Sequence, residues 1–366
     1  MPSPPFSDLQ RMIRIKQIAA VTSKFICHRV AFIAVVVLLF AGSCLPPFSQ
    51  LQGVRSQNEE FWLWTIDFSP TDNNKFTTGG TNGYIAIGSK QGYKEYIPVD
   101  GQVTELQWNS TSNAIGVAIQ GGQKSFIKNY QDGASYLLDS IDNFGARALS
   151  WNPDGTKLAL GDYSGNLTIH DAHGQLITLI KVNDKEITGL DWSPDGSKVV
   201  TVGDDIVLVD LKNETTKLIQ DRQEQVLMLC VAYHPSGEYF GTGDYGDGEN
   251  NILPLLQYWT QDGQFIRKIQ EARGEYRSME WSHDGKLLAT ASDRVRIFDT
   301  NGIMVNQGKE ESTFLWGISW SRNDKVLAAT DSKETIIMYD RRMNIISKNA
   351  RNSELFRAEK STPQIY

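Results

Sequence analysis

The apolar positions of this chain follow a pattern that restarts about every 40 residues. Seven segments each end a run of alternating character with an aromatic residue and a turn: "FSPTD" from Phe68, "WNSTS" from Trp108, "WNPDG" from Trp151, "WSPDG" from Trp192, "YHPSG" from Tyr233, "WSHDG" from Trp281 and "WSRND" from Trp320. The aromatics lie 40, 43, 41, 41, 48 and 39 residues apart. Two residues before each stands an apolar side chain (Ile66, Leu106, Leu149, Leu190, Val231, Met279, Ile318), and five before stands another set (Leu63, Val103, Ala146, Ile187, Met228, Tyr276, Leu315). Positions two apart share one face of a strand, so each segment reads as a strand burying one face against a neighbour. Small residues between the two sets, such as Ala148, Gly189, Cys230, Ser278 and Gly317, leave room for crowding near an axis. The Ser, Asn or His after the aromatic has a side chain that bonds turn backbone, and Pro-Asp-Gly supplies a fixed φ, a closing acceptor and a residue that accepts φ > 0.

Three more strands follow each turn. Examples of the second and third are "TKLALGD" with "NLTIHDA", "SKVVTVG" with "DIVLVDL" and "KLLATAS" with "RVRIFDT"; the fourth is "KEYIPV", "ASYLL", "QLITLI", "TKLIQ", "QFIRKI", "IMVNQ" or "MNIIS". Four short antiparallel strands per unit with no helix between units predict an all-β chain, a single seven-bladed β-propeller. "MNIIS" follows "TIIMYD" directly, so blade seven is expected to be built from contiguous sequence. The predicted organisation is a signal-like segment at 1–44, a linker at 45–60, the propeller at 61–348 and a tail at 349–366 that holds the short helix-prone "SELFRA".

From about Phe61 to Lys348 the chain resembles the WD40-repeat proteins. Phe298-Asp299 and Tyr339-Asp340 match the aromatic-Asp that ends the family's third strand, and His170-Asp171 and Val209-Asp210 are weaker forms. The family's Gly-His at the start of the repeat is missing throughout. The TolB-like periplasmic propellers share the Ser-Pro-Asp-Gly turn. The resemblance implies a rigid disc that binds protein or peptide partners through its loops.

Composition narrows the function classes. Net charge is −7, and residues 1–44 carry +4, which leaves −11 for the rest. A phosphate backbone would be repelled by such a domain, so nucleic acid is not an expected partner. Of three cysteines only Cys230 lies beyond the N-terminal region, in the buried-strand pattern "VLMLCVAYHP", so neither an internal disulfide nor a Cys/His metal site is expected. The apolar run from Val30 to Leu45 follows the basic residues Arg11, Arg14, Lys16, Lys24 and Arg29, and its 16 residues are short for a spanning helix. Ala41-Gly42-Ser43 before Cys44 resembles the bacterial lipobox, with Ala41 where Leu is usual, and implies lipidation at Cys44 and an exported, membrane-anchored protein. An uncleaved signal anchor, a cleaved signal and a cytoplasmic subunit of a larger complex remain open readings.

Chemistry-bearing motifs are few. His28, His170, His173, His234 and His283 have no Ser or Cys partner in a recognisable motif, and no catalytic residue or cofactor is expected. The acidic loop "GDYGDGENN" (243–251) has oxygen ligands but not the EF-hand spacing, and reads as a solvated insertion that accounts for the 48-residue repeat. Asn109, Asn166 and Asn213 begin Asn-X-Ser/Thr triplets. "FWLWTIDF" and "FLWGISW" open blades that ring closure makes neighbours. Four residues before the aromatic these carry Trp64 and Trp316, where repeats three and six carry Arg147 and Arg277. Trp and Arg are enriched at interface hot spots, so Trp62, Trp64, Phe314 and Trp316, flanked by Tyr276 and Arg277 and with Arg147, are the candidate protein-binding residues. The same Trp residues could instead seal blade one against blade seven. A propeller enzyme acting at its central channel is the less favoured alternative.

Overall fold

The computed structural model describes residues 61–139, 142–219, 226–309 and 314–350 of the 366-residue chain. The apolar run at 30–45, Cys44, His28, the linker and "SELFRA" lie outside the described residues.

Seven four-stranded antiparallel sheets follow one another along the chain, each strand pairing with its sequence neighbours. Blade 1 holds β1 (Leu63–Phe68), β2 (Lys75–Gly80), β3 (Tyr84–Ser89) and β4 (Gly92–Pro98); blade 2 holds β5 (Gln102–Trp108), β6 (Ala114–Gln120), β7 (Phe126–Asn129) and β8 (Ser135–Leu137). Blade 3 holds β9 (Ala146–Trp151), β10 (Lys157–Asp162), β11 (Asn166–Asp171) and β12 (Leu176–Lys181); blade 4 holds β13 (Ile187–Trp192), β14 (Lys198–Gly203), β15 (Ile206–Asp210) and β16 (Thr215–Ile219). Blade 5 holds β17 (Met228–Tyr233), β18 (Tyr239–Asp244), β19 (Leu256–Thr260) and β20 (Phe265–Ile269). Blade 6 holds β21 (Ser278–Trp281), β22 (Leu287–Ala291), β23 (Arg296–Asp299) and β24 (Met304–Gln307); blade 7 holds β25 (Leu315–Trp320), β26 (Val326–Asp331), β27 (Thr335–Asp340) and β28 (Ile345–Ala350). The chain is an all-β, seven-bladed propeller. Blade 7 is contiguous, and β28 runs two residues past the predicted boundary.

The core is divided among the joints between blades. Seven apolar clusters each span two adjacent blades, including blades 7 and 1, where Leu63, Ile66, Phe68 and Phe76 meet Ala328, Ile336 and Met338. In every cluster the repeat aromatic, the residue two before it and the residue five before it press on the preceding blade. A simple alternation cannot place all three on one face, because five and two differ by an odd number. A β-bulge resolves this: the register shifts between Leu63 and Thr65, Val103 and Glu105, Ile187 and Gly189, and Met228 and Cys230, with related shifts in blades 3 and 7. The extra residue re-phases the strand and re-aims the side chain four before the aromatic.

The opposite face of each inner strand stitches to the following blade. The Trp108 N–H donates to Asp67 Oδ2 (2.6 Å), Trp151 N–H to Gln107 Oε1 (2.7 Å), Tyr233 N–H to Asp191 Oδ2 (2.8 Å), Trp320 N–H to Glu280 Oε2 (2.9 Å) and Phe68 N–H to Ser319 Oγ (3.2 Å). The indole N–H groups of Trp151, Trp192 and Trp320 reach back to carbonyls of Gln107, Ser150 and Glu280. Gly317 is small for a reason of space: a Cβ there would come within 2.9 Å of the Ile66 nitrogen on blade 1. At the turn, Asn152, Ser193, Ser282 and Ser321 accept backbone N–H bonds from the residue five on, at 2.8–3.0 Å. Gly155, Gly196, Gly237 and Gly285 take φ of 68–77° there, and Asp324 takes φ 55° in the seventh turn.

Candidate interaction site at the channel mouth

A central cavity of about 540 Å³ is lined by the inner strands of the blades. Its mouth is formed by the bulged residues. Two of them are held by the next blade: Thr104 Oγ1 donates to the Ala146 carbonyl (2.9 Å) and Thr188 Oγ1 to the Met228 carbonyl (2.6 Å). Arg147 pairs with Glu186 at 2.7 Å, and each side chain keeps about a quarter of its surface exposed. Trp64 and Trp316, from the bulges of blades 1 and 7, and Arg277, four residues before the aromatic of blade 6, form one continuous stack.

In that stack the Trp62 and Trp316 rings lie 5.5 Å apart with 23° between planes, and Trp64 and Trp316 lie 6.0 Å apart. The Arg277 guanidinium sits 3.8 Å above Trp316, is paired with Glu275, and also faces the Tyr245 ring at 5.8 Å. Trp62 is 38% exposed, Tyr245 45% and Phe314 51%; Phe314 abuts Gly274 in the segment before β21. The indole N–H groups of Trp64 and Trp316 and Nε of Arg277 have no acceptor among the described residues. The Trp residues therefore join blades 7 and 1 and also present a partly exposed aromatic surface. Tyr276 does not belong to that surface. Its ring is fully buried, because the position five before the aromatic packs into the joint between blades 5 and 6. Tyr245 belongs in its place and was missed; its signal was the length of the 243–251 insertion.

That insertion turns on itself. Asp244 accepts from the Gly246 and Leu255 N–H groups, and Asp247 accepts from Glu249, Asn250 and the Asn250 amide. Its carboxylates serve their own loop backbone. The histidines of the blades are structural as well: His170 faces the Asp139 carbonyl, His234 stacks on Tyr239 and bonds Gly285, and His283 bonds Asp324 at 2.8 Å. Asn109 is buried in the turn after β5 and Asn166 at the start of β11, and Asn213 bonds Asp210. Cys230 is free and buried, and burial pushes its thiol up.

Below the mouth lie four carboxylates that sequence reading did not single out. Asp67, Glu105, Asp191 and Glu280 line the cavity and are partly buried. Burial pushes Asp67 up to about 7, Asp191 to about 6 and Glu105 to about 8, while the backbone N–H groups they accept pull the other way. Burial also holds Glu280 well above the usual range, with Asp67 adding repulsion.

Comparison with known proteins agrees with this architecture. Residues 56–208 match the family described as eukaryotic translation initiation factor eIF2A. The chain is 21% identical over 253 residues to Protein HIR1 of Yarrowia lipolytica, covering 64% of this chain and 23% of that protein. It is 24% identical over 222 residues to Actin-related protein 2/3 complex subunit 1A of Arabidopsis thaliana, covering 52% and 57%. It is 28% identical over 173 residues to WD repeat-containing protein 1 of Bos taurus, covering 45% and 26%. The chain thus spans about a quarter to somewhat over half the length of these relatives. It is a WD40-like propeller homologous to WD-repeat proteins.

Proposed function

We propose that this chain is a non-catalytic scaffold that grips a protein or peptide segment at the channel mouth, through Trp62, Trp64, Phe314, Trp316 and Arg277, with Arg147 across the opening. The observation that carries this reading is the Trp62–Trp316–Arg277 stack beside the cavity, with the exposed rings of Trp62, Tyr245 and Phe314 around it. The exposed rings supply rigid apolar area for a peptide segment to cover. A relative named as a subunit of a complex supports a life among protein partners. Trp62→Ala tests the reading, since Trp62 is exposed and lies outside the strands. Recovery of cross-linked partners drops severalfold while the melting temperature stays within a few degrees; unchanged recovery sinks the proposal.

The finer part of the proposal is export and a lipid tether at Cys44, and the support for it is sequence: the apolar run at 30–45 and the five basic residues before it. Labelled palmitate enters the wild-type protein and not Cys44→Ala. Equal labelling, or none in either, returns the chain to the cytoplasmic reading. The enzyme reading draws on the four raised carboxylates, since perturbed acids cluster at active sites. Their oxygens accept backbone N–H groups of the next blade, which accounts for them as stitches.

A further inference from the structure

Serine stands one residue before the repeat aromatic twice around the ring, at Ser150 in blade 3 and at Ser319 in blade 7. Both are buried. Ser150 comes between Gln107 of blade 2 and Asp191 of blade 4, and its hydroxyl donates to Asp191 Oδ1 at 3.1 Å. Ser319 comes between Glu280 of blade 6 and Asp67 of blade 1. Its hydroxyl lies 3.2 Å from Asp67 Oδ1 and faces the Glu280 carboxyl, and its oxygen accepts the Phe68 N–H at 3.2 Å. One serine therefore serves one acid, and the other serves two. A hydroxyl has one proton and two lone pairs. At Ser319 the Phe68 N–H takes one lone pair and one carboxyl takes the proton. The second lone pair is left facing the second carboxyl, and that contact is a hydrogen bond only when the second carboxyl carries a proton. With both ionised, one oxygen is set against the lone pair and two like charges share a partly buried joint.

We propose that one proton, shared by Glu280 and Asp67 through Ser319, latches blade 7 to both its neighbours, and that the ring loosens there first when the proton leaves. Glu280 holds the Trp320 N–H across the joint of blades 6 and 7, and Ser319 holds the Phe68 N–H across the joint of blades 7 and 1. The charged groups around the pair do not neutralise it. Glu105 faces Asp67 from β5, and Asp324, bonded to His283, faces Glu280 from the turn after β25. Asp191 stands beyond Glu105. The bases among the described residues lining the cavity are Arg147 and Arg277, each paired with its own glutamate, and the Tyr163 hydroxyl donates to Gln120. Burial pushes Asp67 up to about 7 and holds Glu280 well above the usual carboxylate range. Folded values above the unfolded ones mean a latch that is closed at acid pH and released as pH rises past about 7.

The ring supplies the control. Glu280→Gln copies the Gln107–Ser150–Asp191 arrangement at Ser319: the amide oxygen accepts the Trp320 N–H, and the amide nitrogen donates to Ser319 at every pH. Asp67→Asn does the same from the other side and keeps the acceptor for the Trp108 N–H. With both, Ser319 meets three N–H donors with two lone pairs. Gln107→Glu puts Ser150 between two acids. The full-length proteins are compared in detergent micelles at about pH 6 and about pH 9, by melting temperature and by deuterium exchange of the Phe68 amide, corrected for the intrinsic effect of pH on exchange. Wild-type Phe68 loses about tenfold protection or more over this range, the equivalent of one pK unit, and Glu280→Gln loses about twofold or less. Each single amide variant melts above wild type at about pH 9, the double variant melts below the better single, and Gln107→Glu steepens the fall in melting temperature with pH. Phe68 protection that falls equally in wild type and Glu280→Gln, a double variant that melts above both singles, or a Gln107→Glu slope like that of wild type overturns the proposal. So does a Glu280→Gln protein that fails to fold at about pH 6.

Discussion

Asp67, Gln107, Asp191 and Glu280 stand one residue before their aromatics, and each holds the backbone of the next blade. For the acids this arrangement has a pH signature. A carboxyl whose folded pKa is raised binds its proton more tightly when folded. Its contribution is therefore fully present below about pH 4 and is lost as pH rises through the folded value. With Asp191 at about 6, Asp67 at about 7 and Glu105 at about 8, the window runs from about pH 4 to pH 8. Glu105→Gln keeps the acceptor for the Leu149 N–H and removes the buried charge. We expect it to be more stable than wild type at pH 8, by on the order of 1 kcal/mol after allowance for water in the cavity, with a correspondingly higher melting temperature, and to match wild type near pH 4. A variant less stable than wild type at pH 8 would contradict this, and calorimetry across the window decides it. These acids escaped sequence reading because their partners lie about 40 residues away, one blade on. Nothing local to Glu105 announces Leu149.

At the scale of the element, the strand and turn pattern was legible because its signals are local: aromatic, small polar residue, Pro-Asp-Gly, then alternation. The bulge was not. Two apolar sets three positions apart look like a loose repeat until the register shift at Thr104 or Thr188 explains them. Missing it also let Tyr276 pass for a mouth residue, when it occupies the packed position beside Arg277. The 243–251 insertion makes a prediction of its own. The Asp247 N–H bonds the Ile252 carbonyl and the Ile252 N–H bonds the Asp247 carbonyl, so the tip closes on itself and its two ends are adjacent. Excising 247–252 in favour of two glycines leaves stability within about 1 kcal/mol, because loop length costs little. Partner recovery falls if Tyr245 is thereby displaced from Arg277. A large loss of melting temperature would show that the tip supports blade 5.

For the whole molecule, the joint between blades 7 and 1 is made of the same materials as the other six. Thr330 Oγ1 donates to the Leu63 carbonyl at 2.9 Å and accepts from the Gly317 N–H at 2.8 Å, Ser319 accepts from Phe68, and Ser347 reaches the Lys90 carbonyl. Thr330→Ala removes the bond across this joint and leaves one inside blade 7 unmade, at a cost of about 1–3 kcal/mol. We expect one calorimetric transition at lower temperature. A second, separate transition would mean that the blades unfold independently.

The contiguous seventh blade has a consequence for how the circle can come apart. Among the described residues no strand is lent between blades 1 and 7, so the disc resembles a split washer rather than a welded ring. Parting the lips of the split severs side-chain contacts and leaves every backbone ladder whole. Amides in β25 and in β1, apart from Phe68, whose N–H is held by Ser319 across the split, should therefore stay protected against deuterium even while the Trp62 and Trp316 rings separate, and a segment could enter the bore from the side without any blade being unravelled.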